Sequence, residues 1–137
     1  MQITFSKHEG RVPVSVMKLT GNLDASNYAE VISKAQDAYA DGARRLLIDL
    51  SGVPYVSSAG LMSLHTVSLV FAGYSMNNGS GRPAFRSINA QNEKVVRQHV
   101  KLLSPQSAVE EVLDVVGLKQ FLDVYTDFES AVQSFGV

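Results

Sequence analysis

The sequence predicts an α/β fold built on a mostly parallel sheet. Apolar residues alternate with polar ones at Ile3 and Phe5, and again from Val12 to Val16, as in paired strands. Farther along, short apolar runs alternate with segments of helical spacing, in the order β-β-α-β-α-β-α-β-α. Parallel neighbours need a crossover that usually contains a helix, so this order favours a mostly parallel sheet. The length of 137 residues predicts one domain over 1–137.

The first elements are a pair of strands and a helix. A turn at Glu9-Gly10-Arg11 joins the strands, and the second strand ends at Thr20-Gly21. Helical spacing of apolar residues begins at Tyr28 and continues to Tyr39. Gly42 then stands where a C-cap glycine is expected, which predicts one amphipathic helix.

The middle of the chain contains the most apolar segments. The short run Leu46-Leu47-Ile48-Asp49-Leu50 predicts a central strand covered on both faces. Residues from about Ala59 to Tyr74 are long and apolar enough for a mostly buried helix. From about 75 to 97 the composition turns polar, which predicts an extended loop insertion with a possible short helix. The basic residues of this segment are Arg82, Arg86, Lys94 and Arg97. They suit either a solvated loop or contact with an acidic partner.

The last third predicts two more strand and helix pairs. A strand restarts around Val100 to Leu103, and Ser104-Pro105 matches an N-cap followed by proline at the first helical position. That helix should end at Gly117. Phe121 to Tyr125 predicts a last short strand, and Thr126-Asp-Phe-Glu129 has the spacing of a capping box before a final helix.

Composition excludes several classes of protein. Twelve Lys and Arg against thirteen Asp and Glu give a net charge of −1, so no basic field exists to attract nucleic acid. The absence of cysteine excludes disulfides and thiolate metal sites, and the three histidines lack the spacing of metal ligands. The first residues lack the pattern of a signal peptide, so we expect none, and the most apolar window is too short to span a bilayer. We expect a soluble, cytoplasmic protein with no cofactor or metal.

The sequence lacks two motifs of catalysis or ligand binding. Neither Ser51-Gly52 nor Asn78-Gly-Ser-Gly81 leads into the Gly-Lys-Ser/Thr of a phosphate-binding loop. Val56-Ser-Ser-Ala-Gly60 lacks the first glycine of a hydrolase nucleophile elbow. His65 is on the same predicted helix as Ser58, two turns away, and points away from a hydroxyl at the helix tip. We therefore expect the protein not to be an enzyme.

Ser57 and Ser58 lie side by side where the apolar helix should begin. Either hydroxyl can accept a hydrogen bond from the free amides of the first turn, which is worth about 1 kcal/mol. Capping needs only one serine. The positive end of the helix dipole would also stabilise a phosphate, so the pair can be a cap, a phosphorylation switch, or both.

Three stretches together resemble the STAS domain family of bacterial anti-sigma factor antagonists. Thr20-Gly-Asn-Leu-Asp24 is similar to the Gly-Glu-Leu-Asp signature that opens the family's first helix. Leu47-Ile-Asp-Leu-Ser-Gly-Val-Pro-Tyr-Val-Ser-Ser-Ala-Gly-Leu61 resembles its strand and Asp-Ser-Ser/Thr-Gly-Leu loop. Val116-Gly-Leu118 is similar to the ending of its third helix. The resemblance covers nearly the whole chain except for about 75–97.

The resemblance implies a STAS-like, SpoIIAA-like fold: a mixed sheet of four or five strands with about four helices packed on it. It also implies that Ser58 is the phosphoacceptor, while Ser57 replaces the family's usual aspartate. The implied partner is an anti-sigma factor, often a serine kinase, and a phosphatase would reset the switch. The implied partner-binding residues are Asp24, Ser57, Ser58, Ala59, Gly60 and Met62.

Other functions remain open from the sequence. The helix tip could serve a small-ligand or nucleotide sensor, as in some STAS domains. The chain could instead be a non-phosphorylated STAS subunit of a transport or scaffold complex, bound to a membrane assembly without entering the bilayer. Asp24 could position Ser58 or its partner, or it could simply cap the first helix. The sequence does not indicate the oligomeric state.

Overall fold

The computed structural model describes residues 1–73, 98–120 and 122–135, and these form a five-stranded mixed sheet with helices on both faces. The strands lie in the order β1 to β5: Gln2–Glu9, Pro13–Thr20, Leu46–Gly52, Val100–Leu103 and Asp123–Tyr125. The described α-helices are α1 (Tyr28–Ala40), α2 (Ser58–Phe71), α3 (Ser107–Val115) and α4 (Phe128–Ser134). The predicted insertion at about 75–97, including its basic residues, lies outside the described residues.

The sheet is antiparallel at one edge and parallel elsewhere. β1 pairs with β2 in an antiparallel register from Gln2 opposite Thr20 to Glu9 opposite Pro13. The strands from β2 to β5 are all parallel to one another. The prediction of a SpoIIAA-like mixed sheet of four to five strands with about four helices is confirmed.

β3 is covered on both faces, as its apolar run predicted. Leu46, Ile48 and Leu50 belong to the main core, which α1, α2 and α3 cover. Leu47 points to the other face and packs with Val132 of α4 and with Phe135, the residue that follows this helix. Alternate side chains of a strand point to opposite faces, so one strand contributes to two separate cores.

α2 is buried nearly all round. Eleven of its fourteen residues are buried, and its side chains meet the sheet on one side and α1 on another. Its small polar residues are compatible with burial because Ser63 and Ser68 donate their hydroxyls to the carbonyls of Gly60 and His65. The prediction of a mostly buried helix is confirmed, although its predicted last residue, Tyr74, lies outside the described residues.

The predicted helix caps differ from the observed ones. α3 begins at Ser107 after Gln106, so Ser104 does not cap it. Ser104 instead has a φ of 51°, and its amide donates to the carbonyl of Tyr125 at 2.7 Å. The cap of α4 is Asp127, one residue after the predicted Thr126, and its carboxylate accepts from the amide of Ser130 at 2.8 Å. Pairing between β4 and β5 directs the chain after Leu103, and a local motif cannot specify such a contact.

Candidate functional site

The predicted site residues lie at the carboxyl edge of the sheet, which we define as loops 21–27 and 53–57 with the first turn of α2. Because β2 and β3 are parallel, the loops that follow them leave the sheet at the same edge. The two loops are joined directly. Leu23 pairs with Val56 in an isolated parallel bridge, the amide of Leu23 donates to the carbonyl of Tyr55, and the amide of Ser57 donates to the carbonyl of Leu23, both at 2.9 Å.

The two serines have different structural roles. Ser57 is the N-cap of α2, with extended backbone angles, and its Oγ accepts a hydrogen bond from the amide of Gly60 at 3.2 Å. Its carbonyl accepts the amide of Leu61 at 2.9 Å. Ser58 is the first residue of the helix and is exposed. Within the described parts of the chain its hydroxyl has no hydrogen-bond partner, so it is available to another molecule.

Gly60 is buried and permits the close approach of α2 to loop 21–27. A Cβ on this residue would lie 2.5 Å from the carbonyl oxygen of Leu23 and 2.9 Å from Cγ1 of Val56. No side chain fits at such distances, and the obstructing oxygen belongs to the backbone. Gly60 therefore positions the helix tip beside the loop and does not itself offer surface to a partner.

Asp24 lies in the loop ahead of α1 and does not cap that helix with its side chain. The helix begins at Tyr28 after Asn27, and the carboxylate of Asp24 accepts hydrogen bonds from both the Oγ of Ser26, at 2.5 Å, and its amide, at 2.9 Å. These bonds hold the pKa of Asp24 below its ordinary value, and the bond from the hydroxyl has the larger effect. The capping interpretation is wrong for its side chain, although its carbonyl accepts the amide of Tyr28.

Asp24 and Ser57 each directly follow one residue of the bridged pair, Leu23 and Val56. The bridge therefore brings an ionised carboxylate and the tip of α2 to the same edge. Asn27 keeps the loop compact by accepting the amide of Asp24 at 3.0 Å and donating to the carbonyl of Asn22 at 2.8 Å. Ala59 and Met62 are partly exposed, and their spacing of three places them on one side of the helix near Ser58.

Two residues at this edge were not predicted from the sequence. Tyr55 is 54% exposed, which is unusual for so large a side chain and places an aromatic ring beside the serines. Gln106, at the start of α3, donates to the carbonyl of Ser51 at 2.9 Å and so links the loop after β4 to the end of β3. The sequence could have indicated Tyr55, because it is an aromatic residue just before the serines. No local pattern indicates Gln106.

The described residues do not assemble a hydrolytic site around Ser58. His65 is buried in α2, seven residues along the helix, which is about 10 Å of axial rise. Among the described residues, no group of three or more His, Asp or Glu side chains could hold a metal ion. In the part of the chain that the structure describes, this edge therefore presents the unpaired hydroxyl of Ser58, the carboxylate of Asp24 and the aromatic ring of Tyr55, a combination suited to recognition by another molecule.

Comparison with known proteins agrees with the fold. Residues 8–75 match the family model described as "Mlab, STAS domain". A search of curated proteins gave no match. Through residues 8–75, just under half of its length, the chain is therefore similar to the STAS domain family.

Solved structures with the same fold include several anti-sigma factor antagonists. A Thermotoga maritima protein described as such is 18% identical, with a TM-score of 0.69 over 94% of this chain and 90% of that one. An anti-sigma factor antagonist from Mycobacterium paratuberculosis is 19% identical, with a TM-score of 0.68 over 97% and 94%. Unphosphorylated SpoIIAA is 17% identical, with a TM-score of 0.57 over 93% of both chains. None of the helices in the described parts of the chain is both long and apolar enough to cross a membrane.

Proposed function

We propose that this protein is a regulatory interaction module that binds an anti-sigma factor through the carboxyl edge and is switched by phosphorylation of Ser58. The observation that carries the proposal is the exposed Ser58 hydroxyl at the first residue of α2, next to a serine that already caps the helix. The similar solved structures include anti-sigma factor antagonists, and SpoIIAA among them has both unphosphorylated and phosphorylated forms. We infer that residues 1–137 act as one STAS domain in the cytoplasm.

The proposed partner-binding face consists of the side chains that the edge exposes around the acceptor. Asp24, Ser57 and Ser58 supply polar groups, while Tyr55 and Met62 supply apolar area, with Ala59 between them. An exposed tyrosine beside polar groups is typical of the residues that contribute most to protein interfaces. Gly60 supports this face from below by letting α2 approach Leu23.

Phosphorylation of Ser58 would change the charge of this face. A phosphoryl group adds nearly two negative charges and three strong acceptor oxygens. The pKa of Asp24 is lowered from an ordinary value that is already far below neutral pH, so the new charge would join an existing carboxylate charge on the same edge. In an interface with Tyr55 and Met62, the desolvation of that dianion opposes binding, and we infer that phosphorylation releases the partner. A phosphatase would then restore the binding form.

The test is phosphorylation by the cognate anti-sigma factor kinase with ATP, followed by mass spectrometry. We expect one phosphate on Ser58, none on the Ser58→Ala variant, and retained modification at Ser58 in the matched Ser57→Ala variant. The phosphorylated protein, or Ser58→Asp, should bind the partner more weakly than the wild type. Wild-type protein that stays unmodified at Ser58 would contradict the proposal.

A second candidate is a STAS subunit of a transport or scaffold complex that binds its partner without phosphorylation. The observation that favours it is the absence of acidic residues from the first turn of α2 and from its N-cap, where Ser57 replaces the family's usual aspartate. In that case Ser58→Ala and Ser58→Asp would bind the partner equally well. A ligand or nucleotide sensor would instead show a rise in the melting temperature with GTP or ATP, because a ligand of the folded state stabilises it.

A further inference from the structure

β1 is a long edge strand whose outer side carries no strand among the described residues. All eight of its residues pair with β2 in an unbroken antiparallel register, and β1 is the first strand in the sheet order. The opposite edge is β5, which has only three residues. A short edge strand offers little to a second chain, whereas a long regular one presents a row of free amides and carbonyls. The two edges of the sheet are therefore unequal in their capacity to pair.

The first half of β1 lacks the usual protection of an edge. Proteins block their edge strands with charged side chains, proline or bulges. The segment Gln2–Ser6 contains none of these, and its register with β2 is regular. Charged residues appear only at Lys7 and Glu9, at the other end of the strand. The free edge of 2–6 can therefore form a new ladder without burying a charge.

Apolar side chains on this segment are incompletely covered. Phe5 is 41% exposed, although it pairs with the fully buried Met17 on β2. Ile3 is only partly buried against the main core. Both lie on the sheet face that α1 and α2 cover nearer the centre, because residues two apart share a face. In β1, the partly covered side chains of Ile3 and Phe5 therefore lie on one face of the sheet, and Thr4 lies on the other.

We propose that β1 pairs with β1 of a second copy of this chain, antiparallel about a two-fold axis at Thr4. In this register Ile3 faces Phe5 of the partner subunit, and the contact occurs twice. Thr4 faces Thr4 of the partner subunit, and Gln2 faces Ser6 of the partner subunit. Pairs of an aromatic with a β-branched residue, and of two threonines, are among the cross-strand contacts that stabilise sheets.

The register about Thr4 is the symmetric one that pairs the whole uncharged segment 2–6 with itself. An axis at Phe5 would place Ile3 opposite Lys7 of the partner subunit, and an axis at Ser6 would place Phe5 opposite it. In a symmetric antiparallel pair the two-fold axis lies at one residue, so each possible register has its own axis residue. These registers are discrete, and experiment can distinguish them. The dimer extends the five-stranded sheet into a continuous ten-stranded one and does not depend on the proposed function of Ser58.

The chain contains no cysteine, which makes a cross-linking test specific. A Thr4→Cys variant of the full chain places two thiols opposite each other at the axis. Directly paired antiparallel residues have Cα separations of about 4.5 to 5.5 Å, within the range that a disulfide spans. Ser6→Cys is the matched control, because it lies on the same face but is opposite Gln2 in this register. We expect Thr4→Cys to form covalent dimers on mild oxidation and Ser6→Cys to remain largely monomeric on a non-reducing gel.

Sedimentation equilibrium provides the second measurement. We expect the wild-type mass to rise toward twice 14.8 kDa with concentration. Thr4→Glu should abolish the rise, since it opposes two carboxylates across the axis while facing Lys18 within its own chain. Ser6→Glu, which opposes no like charge, should still dimerise. A wild type that stays monomeric at every concentration, or a Ser6→Cys variant that cross-links faster than Thr4→Cys, would overturn the proposal.

Discussion

The α-carbon of Gly60 packs against the backbone carbonyl of Leu23, which leaves no room for a side chain at this position. The same carbonyl accepts the amide of Ser57 at 2.9 Å. One backbone oxygen therefore contacts both the cap of α2 and the residue that lets the helix approach. The position of the exposed Ser58 relative to Asp24 depends on this contact.

Gly60→Ala should destabilise the protein and displace the tip of α2. Its Cβ would overlap the carbonyl of Leu23 at 2.5 Å, and such overpacking costs about 1 to 3 kcal/mol. The matched control is Gly42→Ala, where a φ of 108° imposes backbone strain but no atom lies within 4 Å of the new Cβ. Urea denaturation should show the larger loss for Gly60→Ala, and in that variant phosphorylation of Ser58 should also slow. Equal losses would argue against the steric role of Gly60.

Ser57→Ala should lower the free energy of unfolding by about 1 kcal/mol, because the amide of Gly60 loses its acceptor. Ser57→Asp should restore most of that loss, since aspartate caps equally well and a negative charge is favourable at a helix N-terminus. Ser58→Ala should change stability much less than Ser57→Ala. Chemical denaturation of the three variants checks the order, and a larger loss for Ser58→Ala would reverse the assignment of the cap.

Lys101 is a buried cation, and the effect of its substitution on stability should depend on the residue that replaces it. It is 6% exposed, pairs with Asp123 at 3.3 Å and lies 5.3 Å from the ring centre of Phe135 on the α4 side of the sheet. Lys101→Met keeps the aliphatic volume and removes the desolvated charge, so we expect a change within about 1 kcal/mol in either direction. Lys101→Ala also leaves a cavity and should cost about 2 kcal/mol or more. Thermal unfolding distinguishes the two, and similar losses would show that charge, not packing, dominates.

Stability should fall in acid partly through Asp24 and Asp127. Hydrogen bonds from Ser26 lower the pKa of the Asp24 carboxyl in the folded state. Hydrogen bonds from the amide of Ser130, which has the larger effect, and from its hydroxyl lower the pKa of Asp127. A depressed folded pKa gives stability that is present above the unfolded pKa and lost as the pH falls through the folded one.

Asp127→Asn keeps an oxygen acceptor for the amide of Ser130 but cannot ionise. We expect the wild type to exceed this variant in stability at neutral pH and the difference to shrink as the pH falls below the ordinary aspartate value of 3.8. Urea midpoints measured over a pH series provide the comparison. A difference that stays constant with pH would show that the ionised carboxylate contributes nothing beyond its shape.

The types and order of the elements were predictable because they follow from periodicity, which is local. The apolar run at β3 and the long apolar segment of α2 require burial whatever surrounds them. Cap positions were less predictable. Ser104 satisfies the rule for an N-cap, yet pairing with Tyr125 holds it at a φ of 51° and α3 begins three residues later. A contact between residues distant in sequence outweighed a local preference worth about 1 kcal/mol.

The sequence by itself determined the mixed α/β order, the buried central strand and the presence of two serines at the start of an apolar helix. Only the tertiary structure decided between those serines, because capping depends on the angle at which the chain enters α2, and the bridge between Leu23 and Val56 sets that angle. It also decided that the carboxylate of Asp24 binds Ser26 and that Gly60 is a packing position. Hydrophobic patterning is encoded residue by residue, whereas such contacts exist only once separate strands lie side by side.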